Sequence, residues 1–381
     1  MSMLTKIQLD KLTGIRKTLH ANPEVSEQEF ETQKRILDFL ASECSASVEN
    51  IGKTGVLATF ESKQSGPTIM IRGDIDALPI AETNTFEHKS TSAGVSHKCG
   101  HDGHTTILLG LAKLLTEQKI ARGKVLLLFQ PAEENGMGAE AVLNDAIFPK
   151  DGIDYVFALH NLPGYSTHEV VVKEDEFTGN VKSIIIKLTG KTAHAAEPEQ
   201  GVNPSMAISE IFRYAERITH NKPEEQDFFL MTPIFATLGD LAYGISAGYG
   251  EVHFTIRSWD TDLMTQRSNE ILAFVEGICQ KHKLQLETSW TQVFHANVNH
   301  SEAVDFIRQA AKTNEFLMIE REYPFRWGED FGLFTQHFKG AMFGIGAGTS
   351  SPALHNPDYD FPDEITETGI RMFYQIIQQI L

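Results

Sequence analysis

Cysteine is scarce in this chain: Cys44, Cys99 and Cys279 are the only three in 381 residues. An odd number at wide spacing argues against a disulfide framework. Positive charge is short as well, with 33 lysines and arginines against 51 acidic residues and a formal net charge of −18. No basic cluster is present to track phosphates, so neither nucleic acid nor an anionic membrane is an expected partner. No apolar run approaches bilayer-spanning length, and the opening residues Met1 to Ile7 lack the continuous apolar region of a signal peptide. A soluble, cytoplasmic protein is therefore expected. Fixed-period repeats and low-complexity tracts are also missing. What remains is a chain 41% hydrophobic, long enough for two domains.

Apolar residues recur at helical spacing from Leu4 to about Ser42, broken at Asn22-Pro23-Glu24, which predicts two helices. Strand-like runs follow at 55–60 and 68–72, the second ending in Gly73-Asp74-Ile75-Asp76-Ala77-Leu78-Pro79. A buried helix is predicted over 105–118, and a strand over 124–129 that runs into Gln130-Pro131-Ala132-Glu133-Glu134. A helix over 139–144 and a strand over 155–159, followed by His160, continue the alternation. This order implies an α/β domain around a mostly parallel sheet, with residues presented at its carboxyl edge. After a polar connection at 173–180 the pattern changes. Strands at 181–188, 231–238, 250–257 and 284–290 and helices at 203–219 and 262–281 follow the order β-α-β-β-α-β of an α+β, ferredoxin-like sandwich. A helix over 301–313, a strand over 340–345 and a closing helix over 363–381 resume the first pattern. The expected domains are 1–178 with 295–381, and an insert at 179–294.

The densest chemistry is His97-Lys98-Cys99-Gly100-His101-Asp102-Gly103-His104. Cys99 and His101 lie two apart, so in extended backbone both point to one side. A thiolate and an imidazole there make two arms of a transition-metal site, with Asp102 placed to orient an imidazole. A polar helix N-terminus capped by Asp102, with unliganded histidines, accounts for the same residues. Asp74/Asp76, Glu133/Glu134 and His160 stand at further strand ends, and His355 lies in Pro352-Ala353-Leu354-His355-Asn356-Pro357. Ends of parallel strands converge on one rim, so these residues can meet in space. Adjacent glutamates repel one another unless cations or solvent offset the charge. Neighbouring side chains also diverge, so one can bind metal while the other carries a proton. The alternatives are a solvated acidic loop for the glutamates, a satisfied core histidine for His160 and an idle loop histidine for His355.

The motif at 97–104, Gln130-Pro131-Ala132-Glu133-Glu134 and Leu354-His355-Asn356-Pro357, in that order, resemble the aminoacylase/carboxypeptidase-type dinuclear metallohydrolases, in the subgroup of hippurate and indole-acetyl-amino-acid hydrolases. Ile15-Arg16-Lys17-Thr18-Leu19-His20 with Asn22-Pro23-Glu24, the 72–79 segment, Gly190-Lys191-Thr192-Ala193-His194-Ala195-Ala196 and Gly328-Glu329-Asp330-Phe331 extend the resemblance over nearly the whole chain. It implies a metallopeptidase-type catalytic domain carrying a lid and dimerisation insert. The implied metal ligands are Cys99, His101, Glu134, His160 and His355, with Glu133 as general base, His194 as oxyanion donor and Asp76 supporting a ligand histidine. His104 is read as a helix-start residue and Asp74 as a structural acid. Five side chains do not saturate two divalent ions, which leaves positions for water and a substrate oxygen. Zinc, manganese, nickel and cobalt all suit such donors.

One departure stands out. Relatives usually have Asn-Val-Ile-Pro where this chain reads Gly244-Ile245-Ser246-Ala247 ahead of Thr255-Ile256-Arg257, so an expected substrate-holding amide is missing. Arg257 is a candidate carboxylate anchor or a surface ion pair, and Gly344-Ile345-Gly346-Ala347-Gly348 a turn whose amides could contact substrate. The resemblance implies hydrolysis of small N-acyl amino acids in a homodimer joined through the insert. A dipeptidase or an N-acetyl-diaminopimelate deacetylase would use the same chemistry. A metal-dependent binder without turnover is the rival that the Gly244 segment favours and Glu133 disfavours; a closed structural zinc site fits dispersed ligands poorly.

Overall fold

The computed structural model describes residues 4–381; Met1, Ser2 and Met3, on which the signal-peptide expectation partly rests, lie outside the described residues. Two compact units form. One runs to Phe177 and takes in Asn297–Glu322 and Glu329–Leu381; the other is Thr178–Ala296 with Tyr323–Gly328. Among the described residues no helix is long and apolar enough to cross a membrane.

In the first unit, helix α1 (Lys6–Ala21) starts at a capping box in which Thr5 and Gln8 satisfy each other's backbone N–H groups. The Asn22-Pro23 break separates it from α2 (Phe30–Glu43). Eight strands build one sheet: β1 (Ser47–Ile51), β2 (Gly55–Glu61), β3 (Thr68–Asp74), β4 (Lys124–Gln130), β5 (Tyr155–Leu162), β6 (Val170–Val172), β7 (Met318–Glu320) and β8 (Gly340–Gly346), in the order β1-β2-β4-β3-β5-β8-β6-β7. The four central strands β4, β3, β5 and β8 are parallel, whereas β1-β2, β2-β4 and β8-β6 pair antiparallel, so the sheet is mixed. Only the parallel core produces the shared carboxyl rim on which the site depends. Helix α3 (His101–Glu117) is buried around almost its whole circumference, as the apolar stretch Ile107 to Leu115, interrupted only by Lys113, demands.

Three elements depart from the sequence expectation. β5 continues through His160 to Leu162, so this histidine lies inside a strand. Gly344 and Gly346 belong to β8 rather than to a substrate-facing turn: a Cβ on Gly344 would meet Leu162 Cδ1 at 2.0 Å, and one on Gly346 the Ser166 carbonyl at 1.9 Å. Their smallness permits close packing of backbone. The polar connection is not a loop, because Asp175–Thr178 pairs with Asn297–Asn299.

The second unit is a four-stranded antiparallel sheet in the order Phe229–Leu238, Tyr249–Ser258, Asn180–Thr189, Gln285–Phe294, with helices Ser205–Ile218 and Thr261–His282. The first and third strands of the unit are central, which is the ferredoxin-like arrangement. Alternate residues of Tyr249–Ser258 are buried, and Val252, Phe254 and Ile256 pack with Ile184, Ile186, Ile211 and Val275. The unit reaches beyond residues 179–294 because Thr178 bridges Phe325 and Arg257 Nη1 donates to the Arg326 carbonyl at 2.6 Å. Arg257 thus meets a backbone carbonyl of its own unit rather than a surface carboxylate.

A buried charge network locks α1 to the start of α3. Arg16, 1% exposed, meets Asp102 at 3.3 Å, Asp360 at 2.5 Å and Asp363 at 2.8 Å. His20 Nδ1 lies 2.8 Å from Asp102 Oδ2 and its Nε2 3.0 Å from Glu82 Oε1, which also receives Lys98 Nζ at 2.5 Å. Asp102 therefore orients His20 rather than a ligand imidazole, a correction to the sequence reading. Burial works against the His20 imidazolium, but hydrogen bonds to Asp102 and Glu82 outweigh it and lift the group from 6.5 to about 9. A raised folded-state value contributes stability that is fully present below pH 6.5 and lost as pH rises through 9. We expect His20→Gln to flatten the decline of the urea midpoint between pH 6.5 and 9; parallel curves for the two proteins would remove His20 as its source.

Candidate metal centre

Gly100 makes the centre possible. It caps α3 in a left-handed conformation, φ 98° and ψ 14°, which L residues avoid. A Cβ there would also lie 2.4 Å from Asn161 Oδ1. Cys99 and His101 thus converge across a tight turn, not along extended backbone as their spacing suggested. Asn161 braces the turn, donating from Nδ2 to the Cys99 carbonyl at 3.1 Å and contacting Tyr359 Oη at 2.6 Å.

Around this turn the parallel rim gathers its donors. One atom from each of Cys99, His101 and His160 lies within 4.8 Å of the others, and so do groups from Cys99, Glu134 and His355 and from His101, Glu133 and Glu134. Cys99 Sγ is 3.5 Å from His160 Nε2; His101 Nε2 is 3.8 Å from Glu134 Oε1 and 4.0 Å from Glu133 Oε2; His355 Nε2 is 3.6 Å from Glu134 Oε2. His355 has a φ of +66°, and its backbone N–H donates to the Lys98 carbonyl at 2.7 Å, tying its loop to the cysteine turn.

Hydrogen bonds select the tautomers. His101 Nδ1–H donates to the Asp76 carbonyl at 3.0 Å and lies 3.2 Å from Asp76 Oδ1; His160 Nδ1–H donates to the Asn161 carbonyl at 2.9 Å. In both, the bond made by Nδ1 turns Nε2 toward the centre. His104 is spent differently: Nδ1 donates to Asp74 Oδ1 at 2.6 Å and Nε2 accepts from Asn161 N–H at 3.3 Å. Asp76 also accepts from the Glu134 N–H at 3.0 Å through Oδ2, so one carboxylate fixes two donor residues.

The donor set fits a divalent transition metal. His101 Nε2 and Glu134 Oε1 are buried without a hydrogen-bond partner among the described residues. Burial, then the Glu134 and Glu133 charges, push the Cys99 thiol well above its ordinary value. Burial pushes Glu134 to about 8, with Asp76 and Asp74 adding to it against the opposing pull of His101. Burial opposes charge on His101, yet Asp74, Asp76 and Glu134 lift it to about 10. Acids crowded on a buried imidazole nitrogen call for positive charge at that place. Burial, then Glu329 and Glu134, hold Glu133 well above its usual range.

Beneath the glutamates lies a network the motif reading missed. Arg72, 1% exposed, donates to Gln130 Oε1 at 2.9 Å, Asp74 Oδ2 at 2.6 Å and Asp330 Oδ1 at 2.7 Å, and pairs with Glu329 at 2.9 Å. The sequence signals were separate, an arginine at the end of an apolar strand and the Gly328-Glu329-Asp330-Phe331 motif, with nothing local to join them. His194 belongs to the second unit. It is exposed in a two-stranded pair in which Ile245 faces His194, and the Ala195 N–H donates to the Gly244 carbonyl at 3.0 Å. Its Nδ1 accepts from Ala196 N–H at 3.1 Å, which leaves Nε2–H as a donor.

The model of peptidase family M20/M25/M40 matches residues 70–379. An N-acetyl-L-cysteine deacetylase of Bacillus subtilis is 34% identical over 372 residues, 97% of this chain and 88% of the relative. A hippurate hydrolase of Campylobacter jejuni is 31% identical, covering 92% of this chain and 91% of the relative. The crystal structure of a Bacillus subtilis dinuclear metal-binding peptidase from the M20 family superimposes with a TM-score of 0.83 at 26% identity, over 99% of both chains.

Because the Cys99 thiol and Glu134 must shed protons to ligate, metal uptake is expected to release protons and to tighten as pH rises toward 8. Calorimetry in buffers of different ionisation enthalpy reads that release, and a buffer-independent heat would contradict it. Cys99→Ala is expected to lower bound metal per chain in elemental analysis; an unchanged ratio would exclude Cys99 as a ligand.

Proposed function

This chain belongs to peptidase family M20/M25/M40, and from that premise we propose that it is a dinuclear metal-dependent amidohydrolase that releases a carboxylic acid and an amino acid from a small N-acyl amino acid. The observation that carries the reading is the different surroundings of two adjacent glutamates. Glu134 reaches toward Cys99, His101 and His355, while Glu133, of the candidate donors, lies near His101 and Glu134 only, and burial with its acidic neighbours raises its affinity for a proton. Cys99, His101, Glu134, His160 and His355 would hold the metals, with Asp76 fixing His101 and Glu134. Two divalent cations, when bound, acidify the attacking water and polarise the scissile carbonyl.

The chain's own groups then handle protons and position. Glu133 takes the water's proton during attack and hands it to the departing amine nitrogen, so one carboxyl serves as base and then acid. Its raised affinity for a proton, from burial and from Glu329 and Glu134, suits the acid half of that cycle. His194 Nε2–H is our candidate donor to the developing oxyanion. The names of the deacetylase and hippurate-hydrolase relatives support an N-acyl amino acid as substrate.

We further propose a homodimer through the second unit. Its edge strand Phe229–Leu238 exposes Ile234, Phe235 and Leu238 at 61, 46 and 46%, and Leu241 and Tyr243 continue the apolar surface at 89 and 91%. An open, apolar strand edge invites pairing with a second copy.

Glu133→Gln is expected to keep metal content and thermal midpoint while kcat on N-acetyl or N-benzoyl amino acids falls by ~10²–10⁴-fold; near-normal turnover would remove Glu133 from the mechanism. His194→Ala should slow hydrolysis without emptying the metal site, and unaltered kinetics would dismiss it as the donor. Phe235→Lys should shift sedimentation from dimer to monomer, whereas an unchanged profile would move the interface elsewhere.

A further inference from the structure

The turn between α1 and α2 contributes no proposed ligand, yet one of its side chains meets the paired-glutamate loop directly and another meets it through Asp76. Glu29 is fully buried. Its Oε1 accepts from the Ala132 N–H at 2.8 Å and the Glu27 N–H at 3.0 Å, and its Oε2 from the Thr54 hydroxyl at 2.6 Å. Ala132, immediately before Glu133, has a φ of +54°, and Glu27 a φ of +66°, conformations that L residues adopt only when the surroundings impose them. A pocket of about 260 Å³ lined by Glu27, Lys53, Thr54, Ala132 and Met137 opens against the loop. The Ala132 peptide is held from two sides, its carbonyl by the Gly138 N–H at 2.9 Å and its N–H by the Glu29 carboxylate.

Three residues earlier, the Ser26 hydroxyl donates to Asp76 Oδ2 at 2.7 Å, the same oxygen that accepts from the Glu134 N–H. The turn itself is held in place: the Ala77 N–H donates to the Glu24 carbonyl at 2.8 Å, and the Glu24 carboxylate accepts from the Thr32 N–H at 2.7 Å.

We infer that Ser26 and Glu29 are positioning residues that set the two glutamates separately, Glu29 aiming Glu133 through the Ala132 amide and Ser26 aiming Glu134 and His101 through Asp76. This rests on the reading of Glu133 as proton carrier and Glu134 as ligand. The division follows from the hydrogen-bond paths. The Glu29 path ends on the residue preceding Glu133 and touches no proposed ligand. The Ser26 path ends on the groups that hold metal.

The test compares Ser26→Ala, Glu29→Ala, Glu29→Gln and Glu133→Gln by metal content, chelator-competition affinity, kcat and KM. Glu29→Ala is expected to lose about 10–100-fold in kcat, the scale of a small misplacement of a reacting group, with KM and metal affinity unchanged. Glu29→Gln can still accept from the Ala132 N–H and donate to the Thr54 oxygen, and should return kcat to near wild type. Ser26→Ala is expected to weaken metal binding about tenfold while kcat at saturating metal is retained. Wild-type kcat in Glu29→Ala, a Glu29→Gln variant as slow as Glu29→Ala, or loss of metal affinity in the Glu29 variants would overturn the assignment of Glu29. Unchanged metal affinity in Ser26→Ala would overturn that of Ser26. If Glu29→Ala does not fold, Glu29→Leu removes the same acceptor while filling the space, and a folded Glu29→Leu with normal kcat overturns the Glu29 half. Normal turnover in Glu133→Gln would instead bring down the proton-carrier reading, whereas an inactive Glu133→Gln beside a normal Glu29→Ala defeats this inference alone.

Discussion

A single guanidinium underlies the catalytic unit. Arg72, at the end of the central parallel strand β3, binds Asp74 on its own strand, Gln130 at the end of β4, and Glu329 and Asp330 from a segment more than 250 residues away. Asp330 in turn accepts from Gln130 Nε2 at 2.8 Å and from the Ala139 N–H at 2.9 Å, so the floor beneath the Glu133 loop is one charge-assisted net. Removing one partner of a buried ion pair strands the other, at a cost of about 3–5 kcal/mol. Geometry is what the net gains: β3, β4 and the loop at 329–330 are held to one arrangement, and the rim they form inherits it.

Arg72 does not neutralise everything above it. Glu133, Glu134, Asp74, Asp76, Glu329 and Asp330 share a small buried volume, and several of their carboxyls, with the Cys99 thiol, are driven toward their protonated forms. That surplus of acid is the electrostatic signature of a cation site. The chain's net negative charge is thus not only a matter of surface, because part of it is concentrated where a metal would be held. A second net, around Arg16, His20 and Asp102, anchors the other side of α3 and stays separate from the donors. Between the two nets, Gly100 turns the backbone and Asn161 braces it. The candidate donor atoms are therefore fixed by groups that do not themselves face the centre.

The sequence was legible wherever one local cause dominated. Helical spacing with a proline break marked α1 and α2, apolar runs marked β2 to β5, and the β-α-β-β-α-β order marked the insert. It was less legible where tertiary contact decides. β1, Ser47–Ile51, carries only two strongly apolar residues and is largely exposed, so nothing in its pattern announced a strand. Gly344 and Gly346 resembled a turn because glycine is common in turns, yet here they admit Leu162 and Ser166. Asp102 looked like the natural partner of a ligand histidine because it adjoins one in sequence. On a helix, adjacent side chains diverge by about 100°, so Asp102 faces Arg16 and His20 while His101 faces the rim.

By itself, the sequence determined the residue types and their order. Cysteine, histidine and paired glutamate occupy strand ends and loops, within an alternation of elements whose sheet must collect such ends on one edge. Chemistry and architecture followed from that, because donor type is a property of the residue and strand alternation a property of local periodicity. Only the tertiary structure decided which histidine nitrogen faces the rim, which aspartate orients which imidazole, and that Arg72, Asn161, Ser26 and Glu29 are hydrogen-bonded around it. Those assignments depend on hydrogen bonds between residues tens to hundreds of positions apart, and such distances are set by packing, which no local pattern encodes.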